Sequence, residues 1–369
     1  MGIVAIGLAF AIGWFMSAGV LPKISLISYR RRLFDLPSER KVHTSPIPRL
    51  GGVAFFPCII VAVCIVVVCH NLLMERNLLD LELTTQLLAL ICSTFVLYLI
   101  GLMDDLVGLR YRVKFLFQML CAILIVASGL YFDNLHGLFG IYNLPVYVAV
   151  PFSVLGIVYI INALNLIDGI DGLASGLSII AFIAFGFMFV MLQWWLYALL
   201  AAAALGTLVP FFYFNVFGKV RRGRKIFMGD TGSLTIGLLL AVLAIKLGQD
   251  NAVKDAAIPG AIVIAFSFLM VPLLDVIRVM VHRIRRGRNP FVADKSHIHH
   301  KFMALGMKQR AAMVHIVAIA LAFAIANVLL VHVLNTTVLF LADIALWTVM
   351  HWYISWRISK SGPQEGAYQ

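Results

Sequence analysis

Charged side chains are scarce in this sequence: Asp, Glu, Lys and Arg supply 12% of its 369 residues, about half the share found in an ordinary soluble domain. Hydrophobic residues supply 62%, which excludes a soluble globule. Cysteine is sparse too. Cys58, Cys64, Cys69, Cys92 and Cys121 sit inside apolar runs without any Cys-x-x-Cys spacing, so neither a metal ribbon nor a disulfide framework is expected. No internal repeat, low-complexity tract or long linker divides the chain, and one membrane-embedded domain over residues 1–369 is expected in place of several soluble ones. The net charge of +12 does not point to nucleic acid, because a DNA-binding face needs a soluble basic surface that this chain has no room for.

What is present is a series of apolar segments of about 20 residues, the length that crosses ~30 Å of hydrocarbon. They run near 2–22, 53–73, 84–103, 115–132, 144–164, 173–192, 194–216, 232–248, 258–280, 311–334 and 337–356. The expected fold is an all-α integral membrane protein, a polytopic bundle of about 11 transmembrane helices. The first segment reads as a retained helix, because no small-residue cleavage pattern follows it. The segment 232–248 is short, and its Lys246 is expected to snorkel toward the interface. With these spans, every Lys and Arg among the 29 except Arg76, Lys246 and Lys254 falls on one side. By the positive-inside rule that side is the cytosol, with the N-terminus outside and the C-terminus cytosolic. The polar tail 357–369 is expected to be flexible.

The polar residues with a pattern also lie on the basic side, whereas the opposite loops 70–83, 133–143 and 249–257 show none. The third span ends in the adjacent carboxylates Asp104 and Asp105, followed by Arg110, Arg112 and Lys114. Acids at a membrane boundary are functional candidates, although two solvated loop acids would look the same. After the fifth span, Asn162, Asn165, Asp168 and Asp171 recur every third residue and form one polar stripe if the helix continues; Gly169 and Gly172 permit close backbone approach or helix termination. A stripe that only glues helices together is the alternative. Before the eighth span, Gly229-Asp230-Thr231-Gly232-Ser233 suits either an ordinary N-cap or a Mg²⁺ site, since that ion takes few carboxylates and completes its shell with phosphate and water.

The longest basic-side loop carries Arg285, Arg286 and Arg288 and then His297, His299 and His300. Arginines suit a phosphate or diphosphate, and a lipid headgroup accounts for them equally well; the histidines lack the companion ligands of a zinc site. The first such loop, with Lys41 and His43 ahead of Pro46, Pro48, Gly51 and Gly52, is a rigid turn whose basic side chains are available to an anion. A secondary transporter is the non-enzymatic rival, but its acids belong at mid-membrane with an internal repeat.

Taken together and in this order, the motifs over about residues 40–305 resemble those of the polyprenyl-phosphate N-acetylhexosamine-1-phosphate transferases, which include the bacterial undecaprenyl-phosphate GlcNAc-1-phosphate transferases and the MurNAc-pentapeptide translocase. The resemblance implies Mg²⁺-dependent transfer (Mn²⁺ being a substitute) of a sugar 1-phosphate from a UDP-N-acetylhexosamine to undecaprenyl phosphate in the bilayer, releasing UMP. It implies a multi-pass protein of the bacterial cytoplasmic (inner) membrane with a cytosolic active site, and it leaves the oligomeric state open, a homodimer included.

Carried over, Asp104 and Asp105 match the family's paired aspartates, with Lys114 the basic residue after them. Asn165, Asp168 and Asp171 match its Asn-x-x-Asp-Gly-x-Asp-Gly motif, Asp230 its metal-ligand aspartate and Phe227 an aromatic beside the nucleotide base. The expected roles are a base at Asp105 or Asp104, Mg²⁺ at Asp230 with Asp104 as a second candidate ligand, and site organisation by Asp168 and Asp171. Lys41, His43, Lys114, Asn162, Asn165, Phe227, Arg285, Arg286, Arg288, His297, His299 and His300 are the expected substrate contacts. His297-Ile-His299-His300 and Asp275 resemble the GlcNAc branch; the peptide-sugar branch has three consecutive histidines, a run that Lys301 breaks here. UDP-MurNAc-pentapeptide or another UDP-N-acetylhexosamine is the alternative donor.

Overall fold

A computed structural model describes residues 2–35, 46–74, 81–249, 258–287, 289 and 296–360. Helices dominate: α1 (Gly2–Arg31), α2 (Phe55–Met74), α3 (Leu81–Val107), α4 (Tyr111–Ala127), α5 (Val146–Ile167), α6 (Leu173–Met191), α7 (Trp195–Phe217), α8 (Gly229–Gly248), α9 (Ala261–Arg285), α10 (Ile298–Ala304), α11 (Gln309–Leu330) and α12 (Thr336–Lys360). Ten of the described helices are long and apolar enough to cross a membrane. The 17-residue α4 spans the same depth as α8: Lys114 near its start meets Asp230 at the start of α8, and Gly129 beyond its end accepts a hydrogen bond from Gln249 beyond the end of α8. The expected number of crossings therefore stands.

Contacts at the two ends fix the up-and-down order. At the basic end, Ser25 of α1 bonds Gly223 O after α7, Arg310 of α11 bonds Val216 O of α7, and Lys301 of α10 reaches Ser355 of α12. At the other end, a Cβ on Gly260 before α9 would touch Val331 after α11 and Thr336 of α12.

The middle of the bundle is α8, every residue of which from Thr231 to Gly248 is buried. A helix that is apolar all round belongs inside, and α3, α5 and α9 wrap it. Lys246 follows suit: it is 6% exposed and lies 5.3 Å and 5.4 Å from the Trp194 and Tyr197 ring centres. It does not snorkel outward, because two aromatic faces hold its charge inside the bundle.

Three local expectations change. α1 continues nine residues past the expected end at Leu21-Pro22, reaching Arg31, since its last turns pack on the loop after α7 instead of ending at the bilayer surface. α12 runs through Lys360, so residues 357–360 are helix and not tail. The patternless loop 133–143 contains a hairpin, β3 (Asn134–Leu138) with β4 (Ile141–Asn143). Its turn uses positive φ at His136, Gly137, Phe139 and Gly140, while His136 Nε2 sits 3.1 Å from Gly248 O, closing the end of α8. A second, two-residue pairing joins β1 (Phe34–Asp35) to β2 (Ile47–Pro48), the stem of the first basic loop. Lys41 and His43, between these strands in the sequence, and Arg288 lie outside the described residues.

Candidate active site at the basic end of the bundle

The site is organised around the N-terminus of α8, where unpaired backbone N–H groups favour negative charge. Gly229 has φ +69, a left-handed turn in which a side chain would strike Arg49 O and the Asp105 carboxylate. Asp105 fills the place that leaves: its Oδ1 accepts the Asp230 N–H at 2.9 Å, and its Oδ2 accepts the Thr231 N–H at 2.9 Å and the Thr231 hydroxyl at 2.6 Å. A carboxylate from α3 thus caps α8 across the helix interface. The first loop is laid along the same turn, with Phe227 N donating to Pro48 O and the Gly51 and Gly52 N–H groups donating to Phe227 O and Met228 O. Phe227 is placed by this backbone ladder.

Beside the cap, Lys114 Nζ bridges Asp104 Oδ2 at 3.1 Å and Asp230 Oδ2 at 2.6 Å. Asp104 Oδ1 accepts the Leu109 N–H at 2.6 Å. Asn165 donates to Asp230 Oδ1 at 3.1 Å and to Ser233 Oγ at 2.8 Å. Asp104, Asp105, Lys114, Asn165 and Asp230, far apart in the chain, therefore form one contiguous cluster.

The recurring stripe does not persist as a helix face. α5 ends at Ile167, Asp168 caps it, and Gly172 at φ +79 starts α6, so the glycines take the terminating role. Asn162, one turn deeper, is committed to Gln118 of α4 and to Val158 O. Asp171 pairs with Lys225, and the Gly172 N–H is held by Asn215 Oδ1 at 2.6 Å. Asp168 alone of these acids takes no hydrogen bond among the described residues. Protein lies around its carboxyl on several sides, yet the residue keeps an exposed surface. Enclosure and then the carboxylates of Asp171, Asp230 and Asp105 push its pKa up to about 7.

The histidines arrive on α10 from the opposite wall. Asp275 of α9, fully buried, accepts from His297 Nδ1 at 2.8 Å, from the Ile298 N–H at 3.0 Å and from Arg278 at 2.8 Å. Arg278 pairs with it at i, i+3 within α9, while the bonds from His297 and Ile298 seat the start of α10 on Asp275. His297 is thereby anchored to α9. His299 lies 2% exposed against Gly169, where a Cβ would come within 2.3 Å of its Nε2. Burial, with His300 and His297 next to it, lowers the His299 pKa to about 3, so the ring is neutral. Arg285 and Arg286 stand exposed at the end of α9.

Several of these partners carry no sequence signal. Gln118 and Asn215 are single polar residues in apolar stretches, and only packing reveals what they hold; Thr231, inside the motif over 229–233, and Asp275 are the ones with a visible cue. As a metal site, the cluster suits an ion that needs few protein ligands. No three His, Cys, Asp or Glu converge as a metal cage among the described residues, which disfavours zinc. Asp230 beside the unbonded Asp168 fits Mg²⁺, which keeps most of its shell for phosphate and water.

Residues 87–248 match the family model of glycosyl transferase family 4. The chain is 32% identical over 328 residues to a probable undecaprenyl-phosphate N-acetylglucosaminyl 1-phosphate transferase of Bacillus subtilis, covering 89% of this chain and 85% of that protein. It is 32% identical over 320 residues to the undecaprenyl-phosphate alpha-N-acetylglucosaminyl 1-phosphate transferase of Yersinia pestis, covering 85% and 80%. For the Escherichia coli protein of the same description the identity is 30% over 325 residues, covering 85% and 79%.

Proposed function

Since the chain belongs to glycosyl transferase family 4, we propose that it transfers N-acetylglucosamine 1-phosphate from UDP-N-acetylglucosamine to undecaprenyl phosphate. A lipid phosphate oxygen attacks the sugar-bearing phosphorus, the bond to the bridging oxygen breaks, and UMP leaves. The lipid keeps a diphosphate-sugar. The observation that carries this reading is the carboxylate, lysine and amide cluster at the N-terminus of α8, which lies at the end of the bundle where the basic loops gather. Two anions must meet there, and the cluster combines fixed positive charge with a cation site.

Asp230 is the carboxylate that would hold Mg²⁺, which when bound supplies neutralising charge to the transferring phosphoryl group. Lys114 holds Asp104 and Asp230 in register. Asp168, which takes no hydrogen bond among the described residues and has a raised pKa, is matched to take a proton from the lipid phosphate, help that is typically worth about 10²–10⁴-fold. That role moves away from Asp105, both of whose oxygens are spent on α8. Arg285, Arg286 and the α10 histidines are assigned to the sugar-diphosphate, and the site to the cytosolic face of a bacterial inner membrane, in line with the positive-inside rule.

The test is purified protein in lipid with undecaprenyl phosphate, Mg²⁺ and a panel of UDP-sugars, the product lipid being identified by mass. Undecaprenyl-diphosphate-N-acetylglucosamine is expected. A product formed only from UDP-MurNAc-pentapeptide or another UDP-N-acetylhexosamine would replace the donor, and no lipid product from any donor would overturn the reaction.

A further inference from the structure

Away from the site, one face of α12 carries a ladder of polar residues at i, i+4 spacing: Asp343, Trp347, His351 and Ser355. Its first three members are 3%, 3% and 5% exposed, and Asn327 of α11 opposite them is 0% exposed. The other faces of α12 are apolar and exposed, as lipid requires: Leu346 60%, Val349 61% and Trp352 68%. Asn327 donates to Asp343 Oδ1 at 3.1 Å. Lys301 of α10 donates to Ser355 Oγ at 2.8 Å and approaches His351 Nδ1 at 3.5 Å.

Four buried atoms in this seam have no hydrogen-bond partner among the described residues: Asn327 Oδ1, Asp343 Oδ2, Trp347 Nε1 and His351 Nε2. Inside a bilayer an unmet polar group costs several kcal/mol, and four together would oppose the packing of α12. Their chemistry specifies the guest. Asn327 Oδ1 and Asp343 Oδ2 accept; Trp347 Nε1 donates, and His351 Nε2 carries the ring proton when Nδ1 accepts from the Lys301 ammonium. Neither a cation nor an anion satisfies both pairs, whereas water donates and accepts.

We propose that α11 and α12 enclose a file of bound water running from Asn327 and Asp343 past Trp347 to His351, and that through His351, Lys301 and Ser355 this file holds the histidine-bearing α10 in place. The inference is independent of the transfer reaction. Radiolytic hydroxyl footprinting of the full chain in lipid nanodiscs, read by mass spectrometry, tests it, because buried side chains are oxidised promptly only where water is bound. Trp347 and His351 should be oxidised well above Phe185, which is 0% exposed in an apolar environment. Labelling of Trp347 no faster than Phe185 would overturn the file in the wild-type protein alone, whatever the variants do. Replacing both acceptors, Asn327→Leu with Asp343→Leu, should cut Trp347 oxidation at least about fivefold and raise amide exchange across 298–304 about tenfold. Unchanged oxidation in the folded double variant would count against the file, and unchanged exchange against its hold on α10.

Discussion

Asp105 and Asp230 are neighbours in space with different duties, and substitution separates them. Asp105→Asn puts an amide among three donors, and hydrogen bonds to a charged group are worth about 1.5–3 kcal/mol each. Its thermal midpoint in detergent should fall by several degrees together with its activity. Asp230→Asn, which leaves the cap on α8 intact, should keep the midpoint within a degree or two and lose transfer at least about 10²-fold, since an amide is a poor Mg²⁺ ligand. A collapse of kcat in Asp105→Asn with an unshifted midpoint would return Asp105 to the chemistry.

His299 links the site to stability through pH. With a pKa lowered from 6.5 to about 3, the folded protein binds fewer protons than the unfolded chain within that window. Stability from this residue is therefore intact above pH 6.5 and is lost as the pH falls toward 3. Between pH 7.5 and 5 the loss comes to about 2 kcal/mol. His299→Gln removes the titration, so its midpoint should drop less than the wild type's on acidification; parallel midpoints would show that the ring is charged or solvated.

At the scale of elements, helix existence was legible and helix ends were not. Long apolar runs declare themselves by length alone, but α1 overruns its apolar core because its last turns pack on the loop after α7, an interaction that hydropathy does not register; α9 and α12 also run on, through Arg285 and Lys360. The hairpin over 134–143 is invisible for a related reason: its turn rests on positive φ at His136 and Phe139, which no residue preference announces. Glycine contacts test how the elements meet. A Cβ on Gly101 would lie 2.5 Å from Thr231 Cα, so Gly101→Ala should push α3 off α8, costing about 1–3 kcal/mol and lowering kcat as the Asp105 cap is displaced. Gly169→Ala should act from the other side, driving His299 and α10 away from Asp168. Donor KM should rise severalfold while the thermal midpoint falls by only a few degrees; an unchanged KM would mean that α10 does not face the donor.

Across the whole molecule, the placement of nearly every basic side chain at one end predicts orientation. In a background with Cys58, Cys64, Cys69, Cys92 and Cys121 replaced, Tyr142→Cys on the outer hairpin, 63% exposed, should react with an impermeant thiol reagent in intact cells. Arg222→Cys, at the basic end, should react only after permeabilisation. The opposite pattern would invert the protein and move the site to the outside.

Composition and order by themselves determined that this chain lives in a membrane, how many times it crosses, which end gathers charge and which short motifs carry carboxylates, because hydropathy, parity and motif spacing are one-dimensional properties. The tertiary structure decided which carboxylate does what. Asp104, Asp105, Asp168 and Asp230 are the same side chain in the sequence; Lys114 bridges Asp104 and Asp230, Asp105 caps α8, and Asp168 takes no hydrogen bond among the described residues. Those differences come from hydrogen-bond partners contributed by α3, α4, α5 and α8, and a partner's identity exists only once helices distant in the chain have packed.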